Sequence, residues 1–313
     1  MSKQTIVFIY TFLFITECAF SQTITTNPLI LEREDGSLIT YYLETRNDKK
    51  YSKDLFIFFQ GSDYNSVRNI PNMNKIKPIL PDADILTIEK YGITDALPYS
   101  NDYRYSFPKE YLDFDNPTQR VSDANMVITS LMKNFSYEKI FVLGGSEGAT
   151  IAFLLASKYN YVYATITIGS GGRYFIDDII QTIMCSDELP EEKKKENIEG
   201  IKQFSQYILS HDTLDFSMND HGFLWWKNMF SLDSQEVINN ISTPLLILQG
   251  GKDDSASPEK AIEMIQALRQ SGKTNIDYLF YPEYDHSLNL SFDDKAAETV
   301  FLDIQRWILK IAN

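Results

Sequence analysis

The residues from 139 to 148 read KIFVLGGSEG, and this stretch decides the predicted fold. The unbroken apolar run at 140–143 is typical of a strand that is covered on both faces in a parallel sheet. An almost wholly apolar helix is predicted to follow at 147–158. The turn between them has the pattern G-x-S-x-G in the strand–turn–helix setting that the pattern requires. The stretch therefore predicts that Ser146 occupies a strained corner, with its hydroxyl projecting from the sheet.

Two glycines flank this serine, each at a distance of two residues. Gly144 and Gly148 leave room for the strand and the helix to cross closely. The helix N-terminus behind Ser146 favours negative charge that develops there. The alternative interpretation is a glycine-rich turn without reactivity, but the surrounding pattern favours a nucleophile.

The rest of the chain alternates predicted strands with predicted helices. The strands are expected at 29–34, 39–45, 55–59, 83–88, 139–143, 161–168, 245–248 and 276–281, and the helices at 121–135, 147–158, 258–270 and 296–311. The first two strands form a hairpin around an Asp-Gly-Ser turn. This order predicts an α/β fold with a mostly parallel sheet and helices on both sides.

Two segments interrupt the alternation. Residues 98–117 are polar and aromatic without clear periodicity, so we predict a loop there. Residues 171–242 are too long for a plain loop between two core strands, and we predict a helical lid. A highly charged run at 191–196 is typical of a solvated helix within it.

A serine hydroxyl is a weak nucleophile near neutral pH and needs a base. The sequence has three histidines, of which His211 and His221 lie in the insertion. His286 follows a predicted strand, and the carboxyl ends of strands are where open α/β sheets place their sites. We therefore predict His286 as the base, whereas a histidine in general is more often a surface or hydrogen-bonded side chain.

The orienting acid should also follow a strand. Asp253 is the first carboxylate beyond the strand at 245–248, and its neighbour Asp254 is the rival because one residue of loop slack would exchange them. Alternatively, the two carboxylates could be ordinary solvent-facing groups of the loop. The oxyanion needs backbone N–H donors, which we predict from Glu147, after the nucleophile, and from Ser62, after the strand at 55–59.

With these residues in place, the chain resembles the α/β-hydrolase superfamily over residues 25–313, since it has the chain order Ser146, Asp253, His286. The resemblance implies a twisted, mainly parallel eight-stranded sheet, a helical cap and a Ser-His-Asp triad. Gln60 stands where many members have histidine before the glycine, which is a departure at the oxyanion turn. Small secreted bacterial esterases and peptidases look most similar.

The expected reaction is acyl transfer to water, with no cofactor. A carboxylic ester is the leading substrate, and a peptide or a thioester is the alternative, as is a non-catalytic binding protein on the same scaffold. Several acidic and histidine side chains of the insertion match no known ligand spacing, so we predict no metal site there. They are His211, Asp212, Asp215, Asp220 and His221.

Composition limits the partners. The formal net charge is −14, which repels phosphate backbones and anionic lipid, so we expect neither nucleic-acid binding nor stable membrane association. The expected partner is a small-molecule or peptide acyl substrate. The two cysteines, Cys18 and Cys185, cannot form a disulfide framework. Aromatic residues around the expected site mouth could line an acyl pocket or complete the core: Tyr64, Tyr91, Tyr99, Tyr103, Tyr105, Trp225 and Trp226.

The N-terminus resembles an export signal. Lys3 precedes an apolar run at 5–16 that is too short to span a bilayer. Ala19 and Ser21 place small residues where a signal peptidase reads them, so we predict cleavage after residue 21 and a mature domain from 22 to 313. A buried strand or retained anchor is the alternative. Lipidation of Cys18 is disfavoured because the preceding residue is glutamate.

Overall fold

The structure is a computed structural model that describes residues 27–45, 52–69, 73–99, 107–290 and 293–312. The predicted export signal at 1–21 lies outside these residues, as do the aromatic residues Tyr103 and Tyr105.

Eight strands form one twisted, mostly parallel sheet. They are β1 (Leu29–Glu32), β2 (Leu38–Glu44), β3 (Asp54–Phe59), β4 (Asp84–Ile88), β5 (Lys139–Gly145), β6 (Val162–Ile168), β9 (Leu245–Gly250) and β10 (Ile276–Tyr281). Their order is β1-β2-β4-β3-β5-β6-β9-β10, and only the β1–β2 and β2–β4 pairs are antiparallel. The predicted α/β class and the predicted hairpin are confirmed.

The parallel strands end at one common edge. In the register, Phe59 lies opposite Gly144, Gly145 opposite Ile168, and Tyr281 opposite Gly250. The loops that follow β3, β5, β6, β9 and β10 therefore leave the sheet on the same side. This is the edge where open α/β sheets place their ligands.

Helices cover both faces of the sheet. They are α1 (Met73–Ile76), α3 (Pro117–Asn134), α4 (Glu147–Lys158), α9 (Pro258–Gln270) and α10 (Asp294–Ala312), with 3₁₀ turns at Val67–Asn69 and Lys77–Ile79. A further short helix, α2 (Lys109–Phe114), packs against the chain between β6 and β9. The side chains of Asn116 and Ser257 cap α3 and α9, and each of these helices begins with a proline. Proline suits the first helical position because its missing N–H has no partner there.

The core consists of two apolar layers, one on each face of the sheet. Val142 of β5 packs in one layer with Val127 of α3 and Ile151 of α4. Phe141, the preceding residue, packs in the other layer with Trp307 of α10. Because neighbouring side chains of a strand face opposite ways, the apolar run of β5 supplies both layers.

The chain between β6 and β9 forms a separate helical segment, here called the insertion (residues 169–244). It contains α5 (Phe175–Cys185), α6 (Glu191–Leu209), α7 (Phe223–Ser231), α8 (Ser234–Asn239) and a small hairpin of β7 (Ser217–Met218) and β8 (His221–Gly222). An aromatic cluster around Trp225 and Trp226 forms a separate hydrophobic core within the insertion.

One predicted loop is wrong in part. Residues 98–117 include α2, which begins after Pro108 and buries Tyr111. The helix has only 6 residues, so it shows no apolar periodicity that a sequence pattern could reveal. Among the residues that the structure describes, no helix has both the length and the apolar content needed to cross a membrane.

Candidate active site

Ser146 lies at the corner between β5 and α4, with φ 54° and ψ −123°. A non-glycine residue in this region is strained, and such strain persists only where the surrounding structure enforces it. A Cβ atom added to Gly144 would lie 2.0 Å from the carbonyl oxygen of Gly148, and one added to Gly148 would lie 2.1 Å from that of Phe59. The two glycines thus allow the backbones of β3, β5 and α4 to meet beneath the serine.

The next strands hold Ser146 from both sides. Its backbone N–H donates to the carbonyl of Ile168 at the end of β6, at 2.9 Å. On the other side, a Cβ atom added to Gly61 would lie 3.2 Å from the Cβ of Ser146. The turn after β3 therefore runs directly against the serine.

His286 and Asp253 are hydrogen bonded to each other. The imidazole Nδ1 lies 3.0 and 2.9 Å from Oδ1 and Oδ2 of Asp253. The backbone N–H groups of Ser255 and Ala256 also donate to Oδ1, and the side chain of Gln249 donates to Oδ2. These contacts fix a carboxylate whose side chain has no exposed surface.

The pKa of His286 follows from this contact. Burial alone would lower it, but the hydrogen bond and the charge of Asp253 outweigh burial and raise the pKa above its ordinary value. With Nδ1 directed at Asp253, Nε2 is the ring nitrogen that can accept a proton. Asp254, the rival acid, is exposed and accepts a hydrogen bond from the hydroxyl of Ser255.

The end of β6 connects the serine to the histidine. Gly169 follows Ile168, which binds Ser146, and a Cβ atom added to Gly169 would lie 2.9 Å from Cε1 of His286. The sequence-predicted nucleophile and base therefore both lie next to the end of β6, Ser146 at Ile168 and His286 at Gly169. The structure brings Ser146, His286 and Asp253 to the same sheet edge.

The turn after β3 carries the predicted oxyanion donor Ser62, which is exposed. The side chain of Gln60 is 2% exposed and donates from Nε2 to the carbonyls of Asp63 and Asn65, at 2.8 and 2.9 Å. The side chain of Gln60 thus bridges two carbonyl groups of its own turn. Glu147, the other predicted donor, is the first residue of α4, where backbone N–H groups lack helical partners.

Sequence reasoning missed a buried charge cluster beneath the site. The guanidinium of Arg120 donates to Glu147 Oε1 and to the carbonyl of Gln60, both at 2.9 Å. Lys90 Nζ lies 3.8 Å from Glu147 Oε2. Burial raises the pKa of the nearby Asp115 to about 6, although Lys90 and Arg120 oppose the rise. No local sequence pattern could have revealed the cluster, because its members lie far apart in the chain.

Sequence reasoning also missed two contacts from α5 to the loop after β9. The carboxylate of Asp178 accepts a hydrogen bond from the Ser257 backbone at 3.0 Å, and Gln181 donates to the carbonyl of Asp253 at 3.3 Å. Burial raises the pKa of Asp178 to about 7. The first helix of the insertion is thus attached to the loop that carries Asp253.

The two histidines of the insertion lie in other environments. His221 is buried and stacks on Trp225 at 3.6 Å between ring centroids, and burial lowers its pKa to about 3. His211 is half-exposed, and its Nδ1 lies 2.8 Å from the carbonyl of Tyr207. Within the described ranges, no three His, Cys, Asp or Glu side chains form a group that could hold a metal ion.

A cavity of about 660 Å³ opens between α2 and the insertion. Its apolar lining includes Phe107, Leu112, Leu214, Phe216 and Phe223, with Lys109 and Asp113 among its polar residues. Trp225 and Trp226 do not line it, because they are buried in the core of the insertion.

Solved structures share this architecture at low sequence identity. Est1E from Butyrivibrio proteoclasticus superposes with a TM-score of 0.60 at 14% identity, covering 92% of this chain and 99% of its own. A carboxyl esterase from Bacillus coagulans gives 0.61 at 12% identity, with 92% and 99% covered. An acylaminoacyl peptidase from Pyrococcus horikoshii gives 0.62 at 12%, with 92% of this chain but 42% of the peptidase covered.

No curated protein matches the sequence. One family model does match, over residues 128–292, and it is described as the BAAT / acyl-CoA thioester hydrolase C-terminal family. The match spans more than half of the chain and includes Ser146, Asp253 and His286. The fold, the neighbouring structures and this match all indicate a protein of the α/β-hydrolase type. The chain therefore belongs to the BAAT / acyl-CoA thioester hydrolase C-terminal family, within the α/β-hydrolase superfamily.

Proposed function

We propose that the protein is a serine hydrolase that cleaves a carboxylic ester by acyl transfer to water. The observation that carries the proposal is the pair of short contacts between His286 Nδ1 and the buried Asp253, beside the strained corner of Ser146. Activation of a serine requires a base that takes its proton and a carboxylate that holds the base, and the His286–Asp253 pair supports this proposal.

In the proposed reaction, His286 Nε2 takes the proton of the Ser146 hydroxyl as Oγ attacks the substrate carbonyl. Asp253 holds the imidazole and stabilises its charged form. The protonated imidazole then gives its proton to the leaving oxygen, which departs as an alcohol and leaves an acyl-serine. Water attacks this ester with His286 again as base, and the acid is released.

The tetrahedral oxyanion is proposed to accept hydrogen bonds from the backbone N–H groups of Ser62 and Glu147. The close approach of Gly61 to Ser146 supports the first donor, since it places the turn beside the nucleophile. The position of Glu147 at the start of α4 supports the second, since helix N-termini favour negative charge.

A thioester is the second candidate substrate. The family description names acyl-CoA thioester hydrolases, whereas the neighbouring structure from Bacillus coagulans is named a carboxyl esterase. The same attack on the carbonyl would expel a thiol instead of an alcohol. Ester, thioester and aminoacyl amide substrates with one common acyl group would distinguish the three bond types.

The test of the mechanism is labelling with a fluorophosphonate, followed by peptide mapping. We expect a single adduct on Ser146, and we expect Ser146→Ala to lose both labelling and ester turnover while its circular dichroism stays unchanged. Absence of an adduct on folded wild-type protein would instead favour a non-catalytic binding protein.

We also propose that the protein is exported with cleavage after Ser21. The sequence supports this through Lys3, the apolar run and the small residues before the expected cleavage position. The expected intact mass of exported protein corresponds to a chain that begins at Gln22. Exported protein that still carries Met1 would contradict the proposal.

A further inference from the structure

Arg120 connects the two backbone segments that carry the proposed oxyanion donors. It lies in the first turn of α3 and is 7% exposed. One arm of its guanidinium donates to Glu147 Oε1 and the other to the carbonyl of Gln60, both at 2.9 Å. Glu147 supplies one proposed N–H donor itself, and Gln60 begins the turn that carries the other.

The turn after β3 connects the carbonyl of Gln60, which Arg120 binds, to the proposed donor Ser62. Gln60 Nε2 donates to the carbonyls of Asp63 and Asn65, so the turn is internally bonded around Gln60. Its far end is held by Glu89, which accepts a hydrogen bond from the Val67 backbone at 3.0 Å. Fixing the carbonyl of Gln60 therefore restricts the position of the whole turn relative to α4.

The charge of Arg120 also matters at this position. Burial opposes ionisation of Glu147, but the charges of Lys90 and Arg120 outweigh burial and lower its pKa, so the carboxylate is ionised. A buried negative charge next to the nucleophile would oppose the negative charge that develops on the oxyanion. Lys90 and Arg120 thus both counter this charge, and Arg120 is the one whose guanidinium also donates to the carbonyl of Gln60.

We infer that Arg120 is a positioning residue of the hydrolase: it sets the separation of the Ser62 and Glu147 N–H groups and neutralises the carboxylate of Glu147. The inference rests on the proposed function. The inference goes beyond the proposed function because it assigns a role in transition-state stabilisation to Arg120, which lies outside the triad and outside the matched family segment.

A matched control lies one turn away on the same helix. Asp123 of α3 forms a buried, two-pronged ion pair with Arg33, at 2.8 and 2.7 Å. Arg33 also donates to the carbonyl of Leu38. Arg33→Lys therefore breaks a comparable buried arginine contact to α3 at the β1–β2 hairpin.

The experiment compares Arg120→Lys with Arg33→Lys on the full chain. Lysine keeps the charge but lacks the planar fork, so it cannot reproduce both contacts. We measure kcat and KM with 4-nitrophenyl acetate, the inhibition constant of a trifluoromethyl ketone that forms a tetrahedral adduct with serine, and the melting temperature. Because misplaced donors cost rate, we expect Arg120→Lys to lower kcat by about 10- to 100-fold.

The inhibition constant should rise by a similar factor in Arg120→Lys, while KM stays within about 2-fold, because the lost interaction acts in the tetrahedral state. Arg33→Lys should lower the melting temperature without these kinetic changes. Equal kinetic losses in the two variants, or a normal inhibition constant in Arg120→Lys, would overturn the inference.

Two further measurements keep the outcome decisive. If Arg120→Lys does not fold, Arg120→Gln is the second variant, because its shorter amide cannot make both contacts and leaves the Glu147 charge without its arginine partner, and an unchanged kcat there would overturn the inference. Wild-type turnover that is lost in Ser146→Ala shows that the proposed function holds, so failure of the Arg120 inference is distinguishable from failure of the hydrolase proposal.

Discussion

The carboxylate of Asp253 is buried and accepts several hydrogen bonds. Two backbone N–H groups and the amide of Gln249 donate to it, in addition to the imidazole of His286. These donors fix the carboxylate oxygens, and the carboxylate in turn fixes which ring nitrogen of His286 is protonated.

Replacing this carboxylate by an amide should disable the proposed base. In Asp253→Asn the amide can donate to the imidazole and favour the wrong tautomer, so we expect kcat to fall by about 10³- to 10⁴-fold. The exposed neighbour provides the control, and Asp254→Asn should retain nearly full activity. Steady-state ester kinetics make the comparison; a larger loss in Asp254→Asn would exchange the two roles.

The carboxyl group of Asp178 should make the free energy of unfolding depend on pH. Burial raises the pKa of Asp178 from its ordinary value to about 7. Between about pH 4 and pH 7 the folded protein therefore binds more protons at this site than the unfolded chain does, and this contribution to stability is lost as the pH rises. Asp178→Asn removes the titration, so its free energy of unfolding relative to wild type should improve from pH 5 to pH 8.

Urea unfolding of both proteins at the two pH values measures this difference. Asp187→Asn, an exposed change in the same insertion, is the control. A difference between Asp178→Asn and wild type that stays constant with pH would show that the Asp178 carboxylate does not titrate in this range.

Among the individual residues, the sequence predicted those that follow strand ends, but not those that contact the site from neighbouring helices. Ser146 stands directly after β5, and Asp253 and His286 lie in the loops that follow β9 and β10. Arg120 and Asp178 lie on helices, and their contacts depend on how those helices pack. No spacing within the sequence encodes such packing.

At the level of elements, the crossing of β3, β5 and α4 depends on glycine. A Cβ atom at position 148 would lie 2.1 Å from the carbonyl oxygen of Phe59, a backbone atom that cannot move aside without shifting β3. The neighbouring Gly145 has no heavy atom within 4 Å of its added Cβ. The two positions therefore differ in the space available, although both lie at the same corner.

Because of this difference, we expect alanine to reduce stability strongly at one position and hardly at all at the other. Gly148→Ala should lower the free energy of unfolding by about 3 kcal/mol or more through overpacking. Gly145→Ala should change it by less than about 0.5 kcal/mol. Chemical denaturation of both variants tests this, and a stable Gly148→Ala protein would contradict the close crossing.

The elements that could be predicted are those with strong local signals. The helices at 147–158 and 258–270 agree with the structure at both ends, because apolar spacing, and a leading proline in the second, mark them. The short helix α2 was missed, since six residues are too few for a periodic pattern. Helix α3 begins earlier than predicted, because its first turn, after the Asn116 cap, carries little apolar periodicity.

At the level of the whole molecule, net charge should influence which substrates are bound. A formal charge of −14 repels anionic substrates over long distances, and salt screens this repulsion. We expect KM for an anionic 4-nitrophenyl ester to fall as NaCl is raised from about 10 mM to about 500 mM. KM for neutral 4-nitrophenyl acetate should stay nearly constant, and parallel changes for both esters would contradict the electrostatic explanation.

The contacts of α5 have a consequence for anyone who recombines this protein with its relatives. Asp178 and Gln181 bind the loop of Asp253, so α5 supports the sheet edge although it belongs to the insertion. A chimera that imports a foreign segment from residue 171 onward would discard both supports. Placing the junction after Cys185 instead would let α5 stay with its native scaffold, so that the remainder could be exchanged to vary specificity.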